Sequence, residues 1–134
     1  MEKVFIDCDG GAFGRICSLA AKEALKGKEV IMLNCEKAII SGNKENIIKK
    51  YLKLRKLGGT SRKKPIYPKV PYLLVKRCIR GMLPNYRRGF GKQVFSRIKC
   101  YNGFPEEFRN EKIVKTNLKS YDKFIELKEL CERI

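Results

Sequence analysis

Lysine and arginine are concentrated in the middle of this sequence. Between Asn46 and Pro105 the chain carries seventeen Lys or Arg residues and no Asp or Glu. Residues 1–45 and 106–134 each carry seven basic and seven acidic side chains, so the middle supplies the whole net charge of +17. Cations at this density repel one another when unpaired, and they predict a large polyanionic partner. The commonest partner of that kind is nucleic acid.

The cations of this basic segment (residues 46–105) fall into three groups. The lysines of a predicted helix at 44–57 are long, solvated point charges. A second group lies in an extended loop braced by prolines, which can enter grooves that a globular body cannot. Arginines on a further helix, and in the turn beyond it, suit bidentate phosphate contacts and stacking on exposed bases. The residues that we expect to contact RNA are Arg15, Lys49, Lys53, Arg62, Lys63, Lys64, Lys69, Lys76, Arg77, Arg80, Gly81, Arg87, Arg88, Lys92 and Arg97.

Gly81 and the aromatic residues among the cations each have two interpretations. Gly81 permits a close approach of the backbone, either to RNA or to a neighbouring element, or it helps to end the helix before Pro84. For the aromatic residues, core packing is the more common role and base stacking is the alternative. These residues are Tyr67, Tyr72, Tyr86, Phe90 and Tyr101.

A glycine-rich turn, Gly-Gly-Ala-Phe-Gly-Arg at residues 10–15, leads from a predicted strand into a helix. It matches neither the phosphate-binding P-loop nor the dinucleotide fingerprint. A tight structural turn is the main interpretation. A helix N-terminus with Arg15 touching an RNA phosphate is the alternative, and a nucleotide cofactor is the least favoured.

The side chains that catalysis and metal binding usually need are missing or badly spaced. The chain has no His, and its six cysteines form no Cys-x-x-Cys pair, so the usual zinc spacings fail. Most cysteines lie among apolar residues, which is typical of small buried hydrophobes in a reducing compartment. Nothing assembles a triad, so we expect no enzyme activity, cofactor, metal or small-molecule substrate. Apolar runs are too short for a membrane span or a signal peptide, which predicts a cytoplasmic protein with no membrane partner.

Hydrophobic spacing predicts a single domain over residues 1–134, with a neutral frame at 1–45 and 106–134 around the basic segment. A strand at 4–6, a helix at 15–26 and a strand at 30–33 form a strand–helix–strand unit, whose crossover should be right-handed. Residues 38–40 lead into a turn before the helix at 44–57. The last predicted helix spans about 120–133.

The basic segment is predicted to continue with an extended loop at 58–71, which we expect to be disordered without RNA. A helix at 71–83, a short helix near 92–97 and a strand at 98–101 follow. The predicted inner face of the helix at 71–83 consists of Leu74, Val75, Cys78, Ile79 and Met82.

Four blocks, in the right order, are similar to those of one known family. Val-Phe-Ile-Asp-Cys-Asp-Gly leading to Gly-Arg-Ile-Cys-Ser, at residues 4–18, is the first, and Leu-Asn-Cys-Glu-Lys at 33–37 opens the second. The most specific is Arg-Gly-Met-Leu-Pro at 80–84, and the fourth is Tyr-Asn-Gly-Phe-Pro at 101–105. Together they resemble the universal large-subunit ribosomal protein thirteen family, in its archaeal/eukaryotic branch.

This resemblance implies an α/β fold with a small parallel or mixed sheet flanked by helices, carrying the basic loop and helix as an insertion. It also implies a ribosomal protein of the cytoplasm that binds large-subunit ribosomal RNA beside other ribosomal proteins and supports assembly. The loop at 58–71 departs from the family's usual run, so its contacts transfer least. Messenger RNA is an alternative partner, since a translational regulator acting off the ribosome would need the same basic patch.

Overall fold

Strands and helices alternate along most of the chain. The computed structural model describes residues 2–57, 68–108, 111, 113–115 and 122–134. Two short 3-10 helices occur at Cys35–Lys37 and Glu106–Phe108. The other elements are β1 (Lys3–Asp7), α1 (Phe13–Leu25), β2 (Glu29–Leu33), β3 (Ile39–Ser41), α2 (Lys44–Lys56), α3 (Pro71–Met82), α4 (Gly89–Ser96), β4 (Ile98–Cys100), β5 (Ile113–Lys115), β6 (Phe124–Glu126) and α5 (Leu127–Arg133).

The main sheet is built on the predicted strand–helix–strand unit. β1 and β2 pair in parallel along their full length, with Phe5 opposite Ile31. β4 joins the free side of β2 and β5 joins the free side of β1, both in parallel, which gives the order β4-β2-β1-β5. β3 and β6 form a separate antiparallel pair. The predicted α/β class is confirmed.

Apolar side chains cover both faces of the central strands. On one face, Ile6 and Met32 belong to a large buried cluster to which all five helices contribute. On the other face lies a smaller cluster of Phe5, Ile31 and Leu33, packed by Tyr101, Phe104 and Ile113 and containing no helix residue. Burial on both faces explains why β2 is an unbroken apolar run from Val30 to Leu33.

Local sequence signals explain where the helices begin and end. The side chain of Asn43 caps α2 by accepting hydrogen bonds from the backbone N–H groups of Glu45 and Asn46, at 2.9 and 3.4 Å. Pro71 occupies the first turn of α3, where its missing N–H is no loss. Gly27 follows α1 with a φ of +93°, a conformation that glycine adopts without strain.

The C-terminal element differs from the prediction. Instead of one helix over about 120–133, the structure has β6 followed by α5; residues 120 and 121 lie outside the described residues. Pairing with β3 sets Ile125 opposite Ile40 and buries it, while Phe124 and Glu126 stay exposed. The helix prediction was wrong over β6 because a distant strand, not local spacing, decides the backbone there.

Smaller differences concern short elements. α4 begins at Gly89, three residues before its predicted start, and β5 was not predicted because three residues are too few to show an alternation. The extended loop predicted at 58–71 falls mostly outside the described residues, and residues 68–70 form neither helix nor strand. Its order without RNA therefore stays a prediction.

Gly91 and Gly81 form a matched pair for a stability test. A side chain at Gly91 would collide with the backbone carbonyl oxygens of Pro84 and Asn85, whereas the space around Gly81 is open. We expect Gly91→Ala to lower the free energy of unfolding by about 1–3 kcal/mol through overpacking. Gly81→Ala should raise it by about 0.5 kcal/mol, since alanine favours the helix. Urea unfolding followed by circular dichroism measures both, and equal effects would contradict this assignment.

Candidate nucleic-acid interface

The lysines of α2 lie on its exposed side, as predicted. Ile48 is buried in the main core, while Lys49 and Lys53 are exposed. Arg55, on the border, is half-buried, and its guanidinium donates a hydrogen bond to the backbone oxygen of Ile134, the last residue, at 2.6 Å. The helix thus offers Lys49 and Lys53 to solvent and uses Arg55 to hold the C-terminal helix.

α3 places its cations along the border between core and solvent. Leu74, Val75 and Ile79 are buried as predicted, and Cys78 is half-buried. Met82, predicted on the inner face, is instead 43% exposed. That part of the prediction was wrong because the helix ends at Met82, and the extended backbone of the next residue turns its leucine side chain into the core instead. The half-buried cations of this helix are Lys76, Arg77 and Arg80.

Three of the predicted cations meet around two aromatic rings. The guanidinium carbon of Arg80 lies 4.7 Å from the Tyr86 ring centroid, and that of Arg87 lies 5.4 Å from it. The Lys76 ammonium lies 5.8 Å from the Phe95 centroid, and the two rings meet edge to face at 6.1 Å. We call these five residues the Tyr86 cluster. Its contacts are cation–π interactions, which orient the charges without neutralising them.

The hydroxyl of Tyr86 adds a polar contact to this cluster. Arg87 Nε donates a hydrogen bond to Tyr86 Oη at 3.2 Å. This bond, together with the positive charges of Arg80 and Arg87, lowers the pKa of Tyr86 below its usual value. The pKa of Tyr86 therefore depends on how closely the two arginines approach its hydroxyl group.

The other predicted contact residues are spread over several elements. Arg15 is exposed in the first turn of α1, Lys69 is exposed just before α3, and Arg88 and Lys92 are exposed at the start of α4. Within the described part of the chain, none of these four side chains forms an ion pair. Arg62, Lys63 and Lys64 lie outside the described residues.

Two further cations of the basic segment have partners in the neutral frame. Arg97, predicted to contact RNA, is half-buried and donates to the backbone carbonyl of Ala24 at 3.2 Å, near the C-terminus of α1. Lys99 forms an ion pair with Glu29 at 3.3 Å. The position of Arg97 supports a structural role, because a cation at a helix C-terminus opposes the helix dipole. It adds a charged donor to a carbonyl that already accepts from the Gly27 N–H at 3.1 Å.

Gly81 is exposed in the last turn of α3. No atom lies within 4 Å of the position that its Cβ would occupy, and its φ is not in the left-handed region. Neither a close neighbour nor a strained backbone within the described residues therefore requires glycine. Within the protein, Gly81 was expected either to pack closely on a neighbouring element or to help end the helix before Pro84. The open space around it gives no support to close packing.

The aromatic residues of the basic segment divide between core and surface. Tyr72 packs against the main core, and Tyr101 packs against the smaller cluster. The guanidinium groups of Arg80 and Arg87 lie over the ring of Tyr86. Phe90, in the first turn of α4, exposes 56% of its surface. Tyr67 lies outside the described residues. Among the described members of this group, Phe90 is thus the one with an open ring.

The glycine-rich turn before α1 uses its amides within the protein. The backbone N–H of Gly10 donates to the Lys37 carbonyl at 3.1 Å, and that of Gly11 donates to the Cys8 carbonyl at 3.0 Å. These two amides are not available to a phosphate, which favours a structural role for this part of the turn.

The cysteines are free thiols, and all but Cys78 are buried. A hydrogen bond with Cys78, and burial, raise the pKa of Cys17, while a bond with Cys35 and burial do the same for Cys8. Burial also raises the pKa of Cys131 to about 11. These thiols behave as core side chains, as predicted for most of them. Among the described residues, no group of three His, Cys, Asp or Glu side chains is placed to hold a metal ion.

Comparison with known proteins now adds to this geometry. Residues 2–107 match the family model described as ribosomal protein L13. The chain belongs to the ribosomal protein L13 family. The large ribosomal subunit protein uL13 of Methanosarcina barkeri is 38% identical, over 96% of this chain and 95% of its own length. That of Methanococcus maripaludis is 43% identical over 77% of each chain, and that of Methanocaldococcus jannaschii is 35% identical over 96% and 95%.

The stretch that matches the L13 family contains the whole basic segment and the Tyr86 cluster. The family that the four sequence blocks predicted is therefore confirmed.

None of the described helices is both long enough and apolar enough to cross a membrane. Sequence reasoning named the three cations of the cluster but not Phe95 as their support, because the edge-to-face contact with Tyr86 depends on how α4 folds against the turn that precedes it.

The contact of Arg97 with Ala24 separates a structural cation from a surface one. We expect Arg97→Gln to lower the free energy of unfolding by about 1 kcal/mol, because the α1 carbonyl loses a charged donor. Lys92→Gln, an exposed change in the same segment, should leave stability unchanged. Urea unfolding of both variants measures this difference. An unchanged free energy of unfolding in Arg97→Gln would rule out the structural role.

Proposed function

We propose that this protein is a structural constituent of the large ribosomal subunit, working in the cytoplasm, and that it binds ribosomal RNA through the cations of residues 46–105. The relatives above carry the name large ribosomal subunit protein, and this chain aligns with two of them over 96% of its length. The observation that carries the proposal is the Tyr86 cluster, where three cations converge in a segment that contains no carboxylate. Such a surface attracts phosphates strongly.

The proposed contact residues have different tasks. Lys49, Lys53, Lys69, Arg88 and Lys92 are exposed and supply mobile charges that suit phosphate contacts along an RNA backbone. The loop cations Arg62, Lys63 and Lys64 and the first-turn residue Arg15 belong to the same proposal. Lys76, Arg77, Arg80 and Arg87 lie at or near the two aromatic rings and supply charges of defined direction.

Phe90 adds a surface of another kind to the interface. Its ring is more than half exposed and stands between Arg88 and Lys92 in sequence. An exposed aromatic ring next to phosphate-binding cations is typical of sites where an unpaired RNA base stacks. We therefore add Phe90 to the proposed contacts, together with Gly81, whose open backbone allows a close approach.

The partners beyond RNA follow from the same proposal. A constituent of the large subunit also contacts neighbouring ribosomal proteins, and the frame, with its balanced charges, is the part suited to them. Messenger RNA is not favoured as a partner by any feature described above, because its recognition would use the same cations.

Sedimentation of cell extract on sucrose gradients tests the ribosomal assignment. We expect the protein to migrate with the large subunit at both low and high salt. Release at high salt, or migration elsewhere throughout, would point instead to a loosely held RNA-binding factor.

The number of phosphate contacts can be measured through salt. With about 6–10 contacts, the logarithm of the affinity for a large-subunit ribosomal RNA transcript should fall with the logarithm of salt concentration, with a slope of roughly −0.7 to −0.9 per contact. Lys53→Gln should make that slope shallower by about one contact, whereas Lys26→Gln, in the neutral frame, should leave it unchanged. Filter binding over a salt series gives the slope, and a nearly flat response would contradict the proposal.

Gly81 gives a test that does not depend on charge. A Cβ atom there would have no described atom of another element within 4 Å, and a bulky side chain would obstruct a molecule lying on the last turn of α3. We expect Gly81→Leu to keep the fold and to weaken binding of the ribosomal RNA transcript by at least about tenfold, a loss comparable to that of a specific contact. Ser18→Leu, at an exposed position of α1, is the matched control. Equal affinities of the two variants would leave helix termination as the role of Gly81.

A further inference from the structure

Tyr86 stands on a rigid support between the core and the arginines. Phe95 is half-buried and packs against the main core, and it contacts the Tyr86 ring edge to face at 6.1 Å with an interplanar angle of 74°. The backbone just after Tyr86 is also fixed, since the Asn85 side chain accepts a hydrogen bond from the Arg87 N–H at 3.2 Å. The ring is therefore held from both the core and its own turn.

Arg80 and Arg87 both approach this one ring from different parts of the chain. Each guanidinium carbon lies within 5.4 Å of the Tyr86 centroid, so the two groups are at most about 10 Å apart. Two flexible like-charged side chains would separate in solution unless something held them. The ring attracts both guanidinium groups, and its hydroxyl accepts a hydrogen bond from Arg87 at 3.2 Å. Tyr86 thus offsets their repulsion without cancelling their charge.

The ring of Tyr86 is already engaged by these groups. With guanidinium groups 4.7 and 5.4 Å from its centroid, it offers a poorer platform to a nucleobase than the exposed ring of Phe90. What remains open at this place is a pair of oriented N–H forks. Guanidinium forks of this kind match phosphate oxygens in shape and charge.

We infer that Tyr86 is a positioning residue that holds Arg80 and Arg87 as a two-pronged clamp for two neighbouring phosphates of one RNA backbone. This inference rests on the proposed function and deepens it, because it assigns phosphate binding, not base stacking, to this aromatic residue. The clamp differs from the exposed lysines of α2, which contact phosphates one at a time and have no fixed direction.

Substitution of Tyr86 tests the clamp in two steps. Tyr86→Phe removes the acceptor of the Arg87 hydrogen bond but keeps the ring, and Tyr86→Leu removes both. We expect affinity for a large-subunit ribosomal RNA transcript to fall roughly two- to threefold in the first variant and five- to tenfold in the second. For Tyr86→Leu, the slope of the logarithm of affinity against the logarithm of salt concentration should become shallower by the amount expected for one to two phosphate contacts. Tyr72→Phe, which alters a tyrosine packed on the core, is the matched control and should bind as the parent protein does.

A double-mutant cycle separates positioning from general packing. Arg80→Gln, Arg87→Gln and Tyr86→Leu are measured singly, in pairs and all three together, with urea unfolding to confirm that each variant folds. We expect Tyr86→Leu to cost little once Arg80 and Arg87 are both replaced, since its effect passes through them. Additive losses would overturn the clamp.

The free protein supplies a readout that needs no RNA. Since the hydrogen bond from Arg87 and the charges of Arg80 and Arg87 lower the pKa of Tyr86, absorbance titration should show a tyrosine that ionises below the usual tyrosine range. Arg87→Gln should move that ionisation toward higher pH, and the Tyr86 variants should abolish it. An unchanged titration in Arg87→Gln would show that the arginine does not sit on the ring.

The two proposals can fail separately. If Arg80→Gln and Arg87→Gln weaken RNA binding while both Tyr86 variants bind normally, the clamp is overturned and RNA binding by the basic segment stands. If neither the arginine variants nor Lys53→Gln affect binding, the proposed surface itself is wrong.

Discussion

Mutual repulsion among seventeen cations in sixty residues is the constraint that shapes this molecule. A chain can relieve such repulsion with carboxylates, but each one would cancel charge that a polyanion could use. The basic segment instead orients several of its cations with neutral groups: Arg97 donates to the backbone carbonyl of Ala24, and Arg80 and Arg87 approach an aromatic ring. These partners hold the side chains in place and leave the positive field intact.

The sheet provides the rigidity that this arrangement needs. β1 and β2 are apolar on both faces, so the helices that carry the cations pack on a support that cannot easily deform. Acidic side chains are kept to the frame, where Glu23 pairs with Lys28 and Glu129 pairs with Lys44. The frame therefore contributes stability, and the basic segment provides the net positive charge. Contacts such as the ion pair between Lys99 and Glu29 join the two.

Elements with strong local signals were predictable from the sequence, and those decided by distant partners were not. The helical spacing of α1 and the apolar run of β2 each act within a few residues, and these elements formed as predicted. β6 depends on pairing with β3, and β5 on pairing with β1, so neither was found. The cations of the proposed interface followed from composition. Their grouping on Tyr86 and Phe95 did not, because it requires α4 to fold against the turn that carries Tyr86.

The parallel strand order also has a consequence for how the chain folds during synthesis. β1 lies near the start of the sequence, yet one of its edges is completed only by β5, where Phe5 pairs with Ile113. Until that late segment leaves the ribosome, β1 presents unpaired N–H and C=O groups along an apolar strand, a template to which other chains can add. Closing so long a loop is also slow. The nascent chain is thus most prone to aggregation between the completion of β4 and the arrival of residues 113–115.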